Sequence, residues 1–570
     1  MPTRINLQML DSLFRLIFNR YTLFLAGVYL YARAVDYLGG LEAEFFHLQW
    51  LELLFVLYLY GWFYLILRPG RWRALIAALP VLVGYLVQDV YFLAYGKVFR
   101  LIEVLELPEL LQVLPAGYLA LAGVFLLLPL LVFLAVINYR ALRLLGAGAL
   151  SLALLAGLVA FAPTAYTAFV QAAGNGIIKY SDAKSVESNG RYIMLFYREA
   201  ERLNALTATR PFRQRADYND DAQRQAAYIA RTGNGRNVHL IVLESFLDPT
   251  LFSGARFSRD PVHPAFRQLF GEHLGLSLSP VFGGATAQAE FEILCGVPAL
   301  EKLSSVEFNL FTSAPAHCLP GLLEQAGYRS VATNAYKPNF FNALPAYTGI
   351  GFSEIYFPQE FSATRASYFG TGDVQAEDYM FDGALFERNL AFVASRLAEE
   401  GARPLFNYIM AIYGHTPHIL DPEQRPEILQ VESDYPDDHL QRAANQFYYR
   451  SGAIAAYVNA LLEIDPDSLI IFVSDHVPPL RNGPNTYRAL DYLDNAGQSY
   501  YYNRLLVIEN GRPVAYDRVR HFDLPDMVLD YVTGGEFCRD QRCEFREDTP
   551  MRARESYLDA YYSLMAHASE

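Results

Sequence analysis

Five stretches in the first 172 residues are apolar over nearly the thickness of a bilayer: Leu13–Tyr31, Leu48–Leu67, Ala74–Tyr95, Tyr118–Tyr139 and Ala149–Ala172. A helix needs roughly 20 such residues to cross the hydrocarbon core, so this part of the chain has few alternatives to a membrane bundle. The first stretch is too long and too polar-flanked for a signal peptide, and no small-residue cleavage site follows it. The short loops alternate in charge. Arg4, Arg15 and Arg20 lie at the amino end; Arg68, Arg71 and Arg73 follow the second stretch, and Arg140 and Arg143 the fourth. The other loops set Arg33 against Asp36, Glu42 and Glu44, and Lys97 and Arg100 against Glu103, Glu106 and Glu109. This pattern predicts a multi-pass membrane protein. Its amino terminus would be cytoplasmic and everything after the fifth span periplasmic or extracellular. Asp89, inside the third stretch, reads as an outer-end residue bonded to a neighbouring helix or interfacial water rather than as part of a proton path.

Charge divides the chain. Residues 1–171 hold 11 Lys/Arg against 9 Asp/Glu, net +2, so with a total of −14 the remainder carries −16. An outer part this acidic is a poor partner for nucleic acid. We expect three regions: a five-helix transmembrane domain over 1–172, a membrane-proximal helical linker over 173–235, and an extracytoplasmic domain over 236–570. The turn cluster Thr232-Gly-Asn-Gly-Arg236 marks the last boundary.

Beyond it a βα rhythm begins. Val238–Leu243 reads as a strand ending at Glu244, and Arg329–Thr333 as another. Leu405–Tyr413 is a third, running into Gly414-His415-Thr416-Pro417-His418. Leu469–Ser474 is apolar and β-branched, as buried parallel strands are. It ends in Asp475-His476, and Pro478-Pro479 stop it from continuing. Ligands of open α/β sheets gather outside the carboxyl ends of strands, and three strands here deliver Glu244, His415 and Asp475-His476 to that edge. Tyr502–Glu509 reads as a further strand, and Tyr500, Tyr501 and Tyr502 as its aromatic edge. His418 reads equally as a loop histidine or as a support for the site.

Gly283-Gly284-Ala285 precedes Thr286, which opens an amphipathic helix. A threonine there is ordinarily an N-cap, yet the same position suits an oxygen that meets phosphate at a helix amino terminus. Glu244, Thr286, Asp475 and His476 together form an oxygen-rich set for a divalent metal. Coordination would lower the pKa of a threonine hydroxyl that is otherwise a weak nucleophile.

The four motifs V-L-E-S-F, G-G-A-T-x-x-x-E-F, G-H-T-P and S-D-H resemble those of the membrane phosphoglycerol transferases of the alkaline phosphatase/sulfatase superfamily. These include the lipoteichoic acid synthase family and the osmoregulated-glucan enzymes. The resemblance covers nearly the whole chain and implies an α-helical membrane domain followed by an α/β sulfatase-like extracytoplasmic domain. It implies Thr286 as nucleophile through a phospho-threonine, and Glu244, Thr286, Asp475 and His476 as ligands of one divalent ion, Mn²⁺ first with Mg²⁺ or Zn²⁺ as alternatives. It implies His415 as the group that contacts the substrate phosphate or protonates the leaving oxygen. The donor it implies is phosphatidylglycerol, and the acceptor a glycan or polyol-phosphate polymer. A phosphoethanolamine transferase, a lipid head-group hydrolase and a non-catalytic lipid-binding scaffold are the competing readings. No formylglycine-type segment occupies the Thr286 position. Synthases of this family grip the head group with Trp-Asn-Arg; the matching stretch here is Phe341-Asn342-Ala343, so the guanidinium is missing and Lys337 or Arg481 would have to supply the charge.

All four cysteines, Cys295, Cys318, Cys538 and Cys543, fall in the part placed outside the membrane. An even count in an oxidising compartment predicts disulfides, Cys295–Cys318 and Cys538–Cys543. Zinc binding is the alternative, without C-x-x-C spacing to support it.

Overall fold

The computed structural model describes residues 19–38, 41, 49–95, 98–106, 116–177, 182–214, 218–362, 366–372, 374, 376–517, 519–546 and 552–569. Arg4, Arg15, Glu42, Glu44, Lys97 and Glu109 of the loop-charge argument, and the start of the first apolar stretch, lie outside them. Two compact units form, Met1–Leu206 and Thr207–Glu570. The helices of the expected connecting segment divide between them, Arg191–Ala208 falling mainly in the first and Tyr218–Thr232 in the second.

The first unit is helical. Among the described residues three helices are long and apolar enough to cross a membrane, Arg73–Leu93, Leu119–Val136 and Leu142–Phe161, and Trp50–Ile66 is a shorter apolar helix. The segment read from sequence as one span, Ala149–Ala172, begins earlier and is broken. One helix ends at Phe161 and another starts at Pro163. Proline lacks the N–H that would continue the ladder, and it fits the first position of a new helix.

The second unit is an α/β layer structure. Its strands are β1 Val238–Leu243, β2 Ala255–Phe257, β3 Gly275–Leu278, β4 Arg329–Asn334, β5 Glu354–Tyr356, β6 Leu405–Met410, β7 Val431–Ser433, β8 Leu469–Ser474, β9 Tyr502–Glu509, β10 Arg512–Val514 and β11 Val519–Arg520. Nine of them form one sheet in the order β11-β3-β9-β8-β1-β6-β4-β5, with β10 paired to β9. From β8 to β5 neighbours are parallel, and β9 runs antiparallel to β8. Every residue of β1, β6 and β8 is buried. Helices on both faces explain why these strands read as continuous apolar runs. On one face Phe447, Ile454, Val458 and Leu461 of the helix Asp438–Ile464, with Leu385, Phe386 and Val393 of Asp382–Leu397, pack over Ile241, Ile409, Ile470 and Phe472. Each such side chain contributes about 1.5–3 kcal/mol by leaving water.

Candidate metal and nucleophile site

β1 and β8 lie side by side with Leu243 opposite Ser474. The next residue of each strand leaves the sheet at the same edge, which sets Glu244 beside Asp475. One ligand atom each from Glu244, Asp475 and His476 lie within 4.8 Å of one another, and all three side chains are buried. Thr286, partly exposed, donates its hydroxyl hydrogen to Glu244 Oε2 at 3.0 Å and also reaches the Asp475 carboxylate. The four residues picked from the sequence thus converge.

A surrounding frame holds them. Ser245, at a left-handed φ of 47°, donates its N–H to Asp475 Oδ1 and its hydroxyl to Glu244 Oε1, both at 2.8 Å. The His476 N–H donates to Asp475 Oδ1 at 2.6 Å. His476 Nδ1 lies 3.0 Å from the Val477 carbonyl oxygen, which can only accept. Nδ1 therefore carries a proton, and Nε2 is the nitrogen that faces the carboxylates.

Burial resists charge on Glu244, but the His476 and His415 imidazoles and the Ser245 and Thr286 hydroxyls outweigh it and hold this carboxyl below the ordinary range. Burial and then the Glu244 charge push Asp475 well above it. Asp475 Oδ2 is buried without a hydrogen bond, although His476 Nε2 lies 3.2 Å away. Two crowded carboxylates, one with an unsatisfied oxygen, an imidazole nitrogen and a hydroxyl form a donor set that fits a dication. Mn²⁺, Mg²⁺ and Zn²⁺ all accept such donors.

Thr286 is not the N-cap that its type favours. Ala285 takes that position with φ 60° and ψ 48°, and no side chain caps the helix Thr286–Cys295. Gln288 N–H in the first turn donates to the Ala285 carbonyl at 2.9 Å, while the Thr286 hydroxyl points to Glu244. Nor is the helix amphipathic: Ala287 to Cys295 are all buried. Several of its polar atoms are met inside the protein. Glu290 Oε2 accepts from the Tyr408 hydroxyl at 2.6 Å and from that of Tyr347, and Gln288 Oε1 accepts from Glu307 N at 2.8 Å. The disulfide Cys295–Cys318 ties the far end of this helix to the residue before Leu319–Gln325, and Cys538–Cys543 forms as well. With no free cysteine remaining, the zinc alternative falls.

His415 is partly exposed past the end of β6. Its Nδ1 donates to the Thr416 carbonyl at 2.8 Å, leaving Nε2 for a ligand, and its ring stands 4.9 Å from that of Tyr379. Gly414 packs so closely that a Cβ there would stand 1.8 Å from the Glu244 carbonyl oxygen. His418 is fully buried with Nδ1 3.3 Å from Gln446 Oε1, and burial pushes it well below the usual histidine range. It supports the loop as a neutral ring.

The remaining candidates are placed differently. Lys337 holds its ammonium 5.3 Å from the Tyr336 ring and 5.9 Å from that of Phe361. Phe341 packs on Phe340 at 4.4 Å. The Asn342 amide is committed to the Phe308 and Phe311 carbonyls, both at 2.8 Å. Arg481, 66% exposed, pairs with Asp438 at 3.0 Å and touches none of the four converging residues. Sequence reading passed over Ser245 and Tyr379; a serine beside a strand-end acid and a tyrosine in a loop give no distinguishing spacing.

Over a stretch of 251 residues the chain is 27% identical to a Rhizobium meliloti protein provisionally described as a cyclic beta-1,2-glucan modification protein. That match takes in 43% of this chain and 36% of the relative, so the chain aligns with little more than a third of the relative's length. Among solved structures, the Streptococcus pyogenes phosphoglycerol transferase GacH with sn-glycerol-1-phosphate is similar at 16% identity and a TM-score of 0.46, over 64% of this chain and 92% of that one. The Listeria monocytogenes lipoteichoic acid synthase LtaP is similar at 16% identity and a TM-score of 0.43, over 53% and 72%. The sulfatase family model matches residues 236–534, more than half of the chain and all of the strands that carry the site. With its metal-type cluster at the carboxyl edge of that sheet, the chain belongs to the sulfatase family.

Proposed function

We propose that this protein transfers a phosphoglycerol head group from phosphatidylglycerol to a glycan outside the cytoplasmic membrane, through a phospho-Thr286 intermediate. The observation that carries this reading is the 3.0 Å bond from Thr286 Oγ1 to Glu244 Oε2, made by an uncapped helix end beside Asp475 and His476. Glu244, Asp475, His476 and Thr286 would hold one divalent cation, Mn²⁺ first. When bound, it supplies Lewis-acid stabilisation of charge on the threonine and phosphoryl oxygens.

The chain's own groups do the rest. Glu244 orients the hydroxyl and takes its proton, and the positive end of the helix dipole faces a phosphoryl oxygen. Thr286 Oγ bonds to phosphorus as the phosphorus–oxygen bond to diacylglycerol breaks, and His415 Nε2–H supplies the proton to the departing oxygen. An acceptor hydroxyl then gives its proton to His415 Nε2 and bonds to phosphorus, the phosphorus–oxygen bond to Thr286 breaks, and Oγ regains its proton from Glu244. The apolar helices support access to a lipid donor, and the loop charges support an outer orientation of the site. The glucan named for the Rhizobium meliloti relative supports a glycan acceptor.

Intact-mass measurement after incubation with defined phospholipids tests this. A Thr286 adduct of phosphoglycerol mass from phosphatidylglycerol is expected. An adduct from phosphatidylethanolamine alone would identify a phosphoethanolamine transferase, and diacylglycerol release without acceptor would identify a head-group hydrolase.

A further inference from the structure

Behind the site lies a buried ion pair that the chemistry above does not use. Arg450, on the helix Asp438–Ile464, donates its Nε–H to Asp382 Oδ2 at 2.7 Å, and the two side chains are 2% and 0% exposed. Asp382 opens the helix Asp382–Leu397. The Phe246 ring lies 5.1 Å from the guanidinium carbon and is itself held at 4.9 Å by Phe447, which precedes Arg450 on the same helix.

Each partner reaches a different segment of the site. Arg450 Nη1 stands 3.5 Å from the Ser245 carbonyl oxygen, which also takes the Leu247 N–H at 2.9 Å. Ser245 is the residue whose N–H and hydroxyl hold Asp475 and Glu244. On the other side, the Tyr413 N–H reaches the Asp382 carboxylate, and Tyr413 leads directly into Gly414 and His415. A Cβ at Gly414 would run into Arg450 Nη1 as well as into the Glu244 carbonyl oxygen, so the two segments meet at the guanidinium. β1 and β6 pair as far as Val242 and Met410, and the Ala411 N–H adds a bond to the Val242 carbonyl at 3.0 Å. Past that point the Arg450–Asp382 pair spans the two strand ends.

Stability alone does not account for the pair. Apolar residues of similar size often serve a core as well as a buried ion pair, or better. Arg450 Nη2 is also buried with no hydrogen bond among the described residues, which is a cost. What apolar side chains could not do is fix a carbonyl on one strand end and an N–H on the other through one rigid, charged fork.

We infer that Arg450 and Asp382 form a positioning pair, which fixes the turn at Glu244 and Ser245 against residues 413–415. It sets the carboxylate that takes the Thr286 proton at a constant distance from the imidazole that serves the departing oxygen. This rests on the transferase reading.

The test uses full-length protein in nanodiscs carrying phosphatidylglycerol, with Mn²⁺ added and diacylglycerol release as the rate. Arg450→Lys keeps a cation beside Asp382 but cannot hold the fork. It is expected to lower kcat by about a hundredfold and to leave KM within about threefold, because misplacement is felt by the reacting atoms rather than in lipid binding. In a His415→Ala background the same change is expected to cost less than about threefold, since residues that act as a unit do not add. A kcat within about threefold of wild type in folded Arg450→Lys overturns the inference, as do losses that multiply in the double variant. Thermal unfolding confirms that each variant is folded. Should Arg450→Lys fail to fold, Asp382→Asn, which keeps the shape of the acid, is read by the same two measurements. The transferase reading fails separately, by the absence of any Thr286 adduct in the wild type. The pair is then read by amide hydrogen exchange: Arg450→Lys is expected to speed exchange by about tenfold in residues 244–247 and 411–415 and to leave β8 unchanged. Equal rates in those two segments overturn the positioning role.

Discussion

Two buried acidic clusters, one in each unit, are met in opposite ways. In the helical unit Asp89 takes Arg191 Nε and Nη2 on Oδ1 at 2.8 and 2.7 Å, and the Tyr31 hydroxyl on Oδ2 at 2.8 Å. Nearby Glu52 accepts from the Tyr85 hydroxyl at 2.8 Å and from the N–H groups of Tyr192 and Ile193. Every one of these carboxylate oxygens has a donor. In the α/β unit Glu244 and Asp475 face each other with no arginine bonded to either, and Asp475 Oδ2 is unmet. The contrast separates charge buried to hold helices together from charge buried to receive a cation. A structural carboxylate is neutralised by its own protein; one that awaits a ligand keeps a debt.

That contrast can be broken in four places. The largest effect belongs to Thr286→Ala, which is expected to lower transfer by about a thousandfold or more and to abolish the adduct, measured by diacylglycerol release and intact mass. Turnover retained would remove the hydroxyl from the chemistry. Next, Asp89→Asn leaves Arg191 buried with half its partner and is expected to destabilise by about 3–5 kcal/mol. Asp475→Asn relieves repulsion and is expected to raise the metal-free unfolding temperature, a gain of about 1–2 kcal/mol. Thermal unfolding in one detergent compares them, and equal signs would erase the distinction. Third, Mn²⁺ at a hundred times its dissociation constant is expected to stabilise the wild type by about 2.7 kcal/mol and to leave Asp475→Asn unmoved.

The smallest effect is a slope. Glu290 is pushed up to about 7 by burial, against the hydrogen bonds from Tyr347 and Tyr408. Folded, it keeps a proton that the unfolded chain loses near pH 4.3, so its contribution to stability falls as pH rises between that point and about 7. Glu290→Gln is expected to flatten this part of the profile, read from denaturant midpoints across the window. An unchanged slope would mean that Glu290 is already ionised in the fold.

Much of the site was legible because chemistry coincides with strand ends. An apolar run that stops at an acid, as at Glu244 and at Asp475-His476, is visible without knowing its neighbours. The pairing that sets Leu243 against Ser474 was not visible, since nothing local tells a strand which distant strand it will join. Thr286 does open its helix, as read from the sequence, but that Ala285 and not Thr286 would take the cap position was not legible, because left-handed geometry at Ala285 is a tertiary decision. The helix was expected to be amphipathic and is buried on every side from Ala287 to Cys295. The ring cluster around Tyr336 was invisible: Tyr336, Phe340, Phe361 and Tyr379 share no spacing, only a meeting place. Pro163 did signal a break, yet the uninterrupted apolar character on both sides of it hid the boundary.

The crowding at Gly414 has a mechanical corollary. The segment bearing His415 and the strand bearing Glu244 are pressed together without slack, so neither can shift alone. A single added methyl at Gly414 would be felt at both side chains, and tolerance for variation at that point of the chain should be close to nil.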